Sequence, residues 1–274
     1  MPLNRQKGMG TAEKAVPAPI PPALAIDHVS HKYEQRGRAA TWALDDVTFQ
    51  VKQEEFVTVM GPSGCGKSTL LSLAAGFEEP TRGTLSRDGV RIAGPGRDRG
   101  MVFQKAALYP WLNVLQNVEF GLKATGRGSK ARERAIDALQ EVGLQDFAKH
   151  RPYELSGGMQ HRAALARTLV NGPDVLLMDE PFAALDAQTR GDMQALLLDV
   201  WQRHRSAVLF VTHDIEEGLL LADRAIVMSR APGRIVTVLD VNFPRPRPYE
   251  IILEPEFVAL RGEVRSVLQQ TRTG

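Results

Sequence analysis

The chain has 274 residues, 43% of them hydrophobic, with 34 basic and 32 acidic side chains and a formal net charge of +2. That content suffices for one large or two small cores. The near balance of charge argues against a strongly basic nucleic-acid surface and leaves room only for a local patch. A single cysteine, Cys65, excludes an internal disulfide and suits a reducing compartment.

No apolar run approaches the ~20 residues that span a bilayer, and no apolar stretch follows Arg5 and Lys7 to make a secretory signal. Residues 15–23, AVPAPIPPA, place four prolines in nine positions and read as an extended, disordered lead-in. LAIDHVSHKY and WALDDVTFQV then read as strands separated by the polar loop EQRGRAA. EFVTVM (55–60) is a short apolar run stopped by Gly61, the pattern of a buried parallel strand, and a helix is expected from Lys67 to about Ala75. GTLSRDGVRI carries Asp88-Gly89 between alternating flanks, a hairpin signal.

Between about Lys105 and Val170 strand-like runs vanish, and three segments have helical texture. DVLLMDEP (174–181) and AVLFVTHD (207–214) resume as buried strands, and between them Met193, Leu196, Leu197, Val200 and Trp201 recur at helical spacing. RAIVMS and GRIVTVLDV end the sheet, and PEFVALRGEVRSVLQQ supplies a last amphipathic helix. Alternating strands and helices imply an α/β fold with a mostly parallel core sheet.

GPSGCGKS (61–68) satisfies G-x-x-x-x-G-K-[ST] between a predicted strand and a predicted helix. Glycines let successive N–H groups wrap a phosphate chain, and the helix N-terminus adds partial positive charge. Lys67 is expected at the β- and γ-phosphates, Ser68 on Mg²⁺ and Thr69 near the α-phosphate. Asp179, at the end of a buried strand, suits the Mg²⁺ shell, and Glu180 beside it can accept a proton from an attacking water. The C-terminal edge of a parallel sheet is where such folds bind ligands. His213 and Gln104 fall at the ends of two further predicted strands on that edge; there a neutral imidazole, able both to donate and to accept, suits a γ-phosphate sensor, although the histidine also reads as a structural or merely exposed residue and the glutamine as a surface one. LSGGMQ opens another helix with an anion-binding composition, and Ser156 there also reads as a helix cap, without the acidic or amide residue three positions on that completes a capping box.

The ordered set GPSGCGKST, VFQ, LSGGMQ, VLLMDEP, ALD and VTHD resembles the ATP-binding cassette of ABC transporters, over nearly the whole chain from about residue 24. The resemblance implies an α/β P-loop NTPase cassette at 24–241, with an antiparallel β subdomain and a helical signature subdomain at about 105–170. A tail at 1–23 and a C-terminal extension at 242–274 flank it. It implies ATP and Mg²⁺ as ligands, with Gly61, Pro62, Ser63, Gly64, Cys65, Gly66, Lys67, Ser68 and Thr69 around the phosphates. Ser68, Gln104 and Asp179 fall to the metal, Glu180, His213 and Gln104 to catalysis, and Asp186 to the D-loop. Tyr33 falls where the family stacks an aromatic on adenine, although a half-buried strand tyrosine reads the same way.

In the family two cassettes pair head-to-tail, so Ser156, Gly157 and Gly158 would close over ATP held by a second copy. The departures, His161 for a common glutamine and FAALD for a common serine, remove no catalytic group. One cassette without hydrophobic spans implies two separate integral-membrane permease subunits that hold this chain at the cytoplasmic face of the cell membrane, a periplasmic binding protein, and no nucleic acid. Some 25 residues after VNFPRPRP are too few for the extra β-domain of sugar-importer ATPases. GPGRDRGMVFQKAALYPWLNV is most similar to taurine-import ATPases within a taurine, sulfonate and nitrate subfamily. Tyr109, Trp111 and Leu112 are expected either to receive a permease helix or to pack within the helical region. A soluble, non-transport ABC ATPase is the reading from another class; its relatives carry two cassettes or a long coiled-coil insertion, and this chain has neither.

Overall fold

A computed structural model of the protein describes residues 20–34, 40–126 and 128–273. Most of the proline-rich lead and of the EQRGRAA loop lies outside the described residues. The order is β1 (Leu24–Tyr33), β2 (Thr41–Val51), β3 (Phe56–Met60), α1 (Lys67–Ala75), β4 (Arg82–Arg87), β5 (Val90–Arg91) and β6 (Arg99–Val102). Three helices follow: α2 (Val114–Ala124), α3 (Ala131–Glu141) and α4 (Gly157–Leu169). The chain then runs through β7 (Val175–Asp179), α5 (Ala187–His204), β8 (Ala207–Thr212), α6 (Ile215–Leu221), β9 (Arg224–Met228), β10 (Ile235–Asp240) and α7 (Pro255–Thr273).

Two sheets form. One is antiparallel, in the order β2-β1-β4-β5, and the other has six strands in the order β10-β9-β3-β8-β7-β6. Within the second, β9, β3, β8, β7 and β6 run parallel and only β10 is antiparallel. The alternation of strand side chains divides the core. Val57 and Val59 of β3, with Leu209 and Val211 of β8, face α1 and the antiparallel sheet. Phe56, Val208 and Phe210 face the opposite way, onto Met193, Leu197, Val200 and Trp201 of α5. Burial on both faces is why these strands read as unbroken apolar runs.

The helical segment has its own apolar cluster, in which Val114, Val118 and Leu122 of α2 pack on Ala135 and Leu139 of α3 and Ala163 and Ala166 of α4. Asn113 and Gln116 start α2 with a reciprocal capping box. At the other end of the sheet, Phe257 and Val264 of α7 are fully buried against Leu219 of α6 and Val227 of β9.

Candidate functional site: a phosphate loop at the strand edge

The loop between β3 and α1 is shaped by close backbone approach. Gly66 sits at φ 94°, and a Cβ there would lie 2.6 Å from the carbonyl oxygen of Ala43, so only glycine lets β2 press this closely on the loop. Cys65 is buried beneath, and burial pushes its thiol up, with Lys67 opposing; it packs the loop and is not an activated nucleophile. The Lys67 ammonium, itself buried, donates to the carbonyls of Gly61 at 2.8 Å and Pro62 at 3.2 Å and lies 3.9 Å from Glu180 Oε1. The loop floors a cavity of about 410 Å³, which Ser63, Gly64, Gly66, Lys67, Ser68 and Thr69 line from one side.

The strands β7 and β8, neighbours in the sheet, bring the carboxylates and the histidine to the same edge. Ser68 Oγ donates to Asp179 Oδ1 at 3.1 Å. Burial pushes the Asp179 carboxyl up, with Glu180 adding to the effect, while Ser68 and Lys67 oppose it. Glu180 leaves β7 at φ 43°, a left-handed conformation unusual for this residue type, and its N–H donates to Val211 of β8 at 2.9 Å. That turn aims the carboxylate back over the loop, where Oε2 lies 2.8 Å from His213 Nδ1. With Nδ1–H donating to Glu180, the exposed imidazole presents Nε2 on its other side. Gln104, two residues beyond the end of β6 instead of on it, is exposed and lines the same cavity.

No cluster of three or more histidine, cysteine, aspartate or glutamate side chains able to hold a metal exists among the described residues. One carboxylate and one hydroxyl in contact, beside a glycine-rich loop that opens a helix, nevertheless suit Mg²⁺, which is ordinarily held by one or two carboxylates plus phosphate oxygens and water. Asp179 and Ser68 therefore fit the ion implied by the sequence.

The outer wall is aromatic. Tyr33 is 39% exposed, and its hydroxyl lies 3.2 Å from Thr69 Oγ1 and donates to Glu78 at 3.3 Å. Trp42, which sequence reading missed, joins it from β2 and carries the Arg82 guanidinium 5.4 Å from its ring centre. Its signal was the register: Trp42 pairs with Lys32 and Thr41 with Tyr33, so the two aromatics stand at the same end of one strand pair.

Ser156, Gly157 and Gly158 are not brought to this cavity; they begin α4 elsewhere on the chain. Ser156 does cap the helix, accepting from Met159 N at 3.3 Å, and its hydroxyl proton has no acceptor among the described residues. Asp186, also outside the cavity lining, caps α5 by accepting from Thr189 N at 3.0 Å, and that backbone bond lowers its carboxyl. Tyr109 packs on Phe120 at 4.6 Å and Trp111 at 5.5 Å, under the Arg167 guanidinium. Tyr109, Phe103 and Phe120 line a separate groove of about 440 Å³, and Trp111 is 68% exposed beside it.

The ABC transporter family profile matches residues 44–183. A nitrate import ATP-binding protein of Synechocystis is 48% identical over 243 residues, 86% of this chain and 91% of that protein. A taurine import ATP-binding protein of Rhizobium johnstonii is 45% identical over 254 residues, covering 90% of this chain and 97% of its own. Among solved structures, the dimeric ATP-binding cassette MJ0796, in a post-hydrolysis state bound to ADP and Pi, superposes with a TM-score of 0.71 at 34% identity over 81% of this chain and all of that one. A phosphate loop, a carboxylate pair and a histidine on one parallel edge, together with matches of this extent, establish that the chain belongs to the ABC transporter family.

Proposed function

We propose that the protein hydrolyses ATP to energise a membrane importer, with taurine as the imported substrate. The observation that carries the hydrolytic part is the contact chain Lys67–Glu180–His213 over the phosphate loop. Lys67 neutralises phosphate charge, Glu180 accepts the proton of the attacking water, and His213 holds the Glu180 carboxylate in place from its far side. Asp179 and Ser68 would hold Mg²⁺, which supplies charge neutralisation at the β- and γ-phosphates. Gln104 contributes from the cavity wall, and Tyr33 offers a π-face to the adenine.

Ser156, Gly157, Gly158 and Asp186 lie outside the cavity of their own chain, which favours their acting on the nucleotide of a second copy. The dimeric state of the MJ0796 structure supports the same arrangement. No helix among the described residues is long and apolar enough to cross a membrane, so we assign passage to two permease subunits served by a periplasmic binding protein. The aromatic groove around Tyr109 is the surface we assign to the permease, because exposed aromatics clustered about a pocket are typical interface anchors.

Nitrate is the second reading, favoured by the Synechocystis relative. The test is growth and uptake in a strain deleted for the gene and lacking redundant systems. Loss of taurine uptake, restored by the wild-type gene and not by Lys67→Ala, is expected. Loss of nitrate uptake with taurine untouched selects the second reading, and no transport defect at all overturns both.

A further inference from the structure

Behind the histidine lies a buried acid that the hydrolytic reading leaves without a role. Glu217, on α6, is only 5% exposed, and three polar groups close on it. Thr212 Oγ1 accepts from the backbone N–H of Asp214 at 3.0 Å, so its own proton turns the other way and donates to Glu217 Oε2 at 2.5 Å. Gln194 Nε2 donates to Glu217 Oε1 at 3.2 Å. The backbone N–H of Glu217 donates in turn to Asp214 Oδ1 at 3.1 Å.

These bonds bracket His213 on both sides. Thr212 precedes it and Asp214 follows it, and both are tied to Glu217. Gln194 belongs to α5, the helix that Asp186 caps, so the same carboxylate fastens the histidine's turn to a second helix. Gln194 and Thr212 are buried as well. Burial pushes the Glu217 carboxyl up and Asp214 adds to it, while Thr212, Gln194 and Arg190 act against it. A buried acid is tolerated where its oxygens are saturated by fixed donors, and a saturated network holds its members to one geometry.

We propose that Glu217 is a positioning residue for hydrolysis: its carboxylate, through Thr212, fixes the turn that carries His213, and through Gln194 it registers that turn against α5, while Asp214 only caps the backbone N–H of residue 217. The proposal rests on the reading that His213 serves hydrolysis. A misplacement of about 1 Å at a catalytic group can cost ~10²-fold in rate, so a loosened turn is read in kcat.

The experiment is a double-mutant cycle on ATP hydrolysis by the 274-residue chain. Glu217→Ala is expected to lower kcat by about 10- to 100-fold with KM for ATP unchanged within about twofold. Glu217→Gln restores most of kcat, because its amide can accept from Thr212 while Gln194 turns its own amide to match. In a His213→Ala background, Glu217→Ala should cost nothing further, since the group it positions is gone. If Glu217→Ala is too unstable to assay, Thr212→Val severs the same link and should show the same pattern. Wild-type kcat in the alanine variant, or an equal loss in both backgrounds, overturns the proposal. A His213→Ala chain that hydrolyses at the wild-type rate overturns instead the role of His213 itself.

Discussion

Gly158 and Thr189 are in contact across two helices: a Cβ on Gly158 would lie 2.6 Å from the Thr189 methyl. That close approach sets the start of α4 beside the first turn of α5, so the segments opened by Ser156 and Asp186 are neighbours. Gly157, its neighbour, has no atom within 4 Å of where a Cβ would sit. A side chain at 157 therefore enters open space, while one at 158 meets the Thr189 methyl, which must shift.

Gly157→Asp should accordingly fold and bind ATP like the parent. It should still abolish hydrolysis, because in a head-to-tail dimer the new carboxylate faces the phosphates of the other chain in a desolvated site. In a mixed dimer with Lys67→Ala, both lesions then fall on one composite site and the other stays intact. Hydrolysis present in the mixture and absent from either homodimer is the expected result. A control joining wild-type and Lys67→Ala chains must be active, and a dead mixture beside a live control rejects the trans arrangement.

Glu180→Gln keeps the shape of the side chain and removes its basicity. Hydrolysis should fall by ~10²–10⁴-fold while ATP affinity is retained, measured by steady-state turnover and by nucleotide titration. ATP should also hold two chains of this variant together in sedimentation. Turnover near the wild-type rate excludes Glu180 as the base.

Lys67→Ala removes a buried ammonium that donates to two loop carbonyls. Here ATP binding itself should weaken, in contrast to the Glu180 variant. Undiminished affinity in calorimetry excludes the loop as the phosphate site.

Arg247 serves the fold instead. It is 8% exposed and donates to the carbonyls of Leu219, Leu220 and Ala222 at the end of α6, and to Val241 and Phe243 beyond β10. Burial, with Arg245 beside it, draws the guanidinium down to about 10, and Asp223 opposes. Arg247→Met leaves these buried acceptors unpaired and should destabilise the chain by roughly 3 kcal/mol. Chemical denaturation measures this, and a loss below about 1 kcal/mol contradicts the assignment.

Glu217 makes a prediction about pH. Its folded-state pKa is raised, so between the unfolded value of 4.5 and the folded one the native state binds more protons than the unfolded chain. Stability contributed at this position falls as pH rises through that window. Glu217→Gln, which does not ionise, should gain stability relative to wild type on going from about pH 5 to about pH 8. A difference independent of pH, seen in paired melting curves, refutes the shift.

Much of the site was legible in the sequence because local chemistry dictates it. The strand EFVTVM, the glycines to Gly66 and the helix from Lys67 to Ala75 occur as expected, since each is set by neighbours a few residues away. The same holds for the Asp88-Gly89 hairpin between β4 and β5, and for Asp179 at the end of a buried strand. What the tertiary structure alone decided are pairings between distant segments. The 2.8 Å contact of His213 with Glu180 depends on β7 and β8 lying side by side, although 33 residues separate the two. Trp42 reached the cavity only through the β1–β2 register, and Gln194 met Glu217 only because α5 packs beside α6. Periodicity along a chain specifies which face of an element is apolar; which polar groups of other elements meet there depends on strand order and helix packing, and those arise only when the whole core closes.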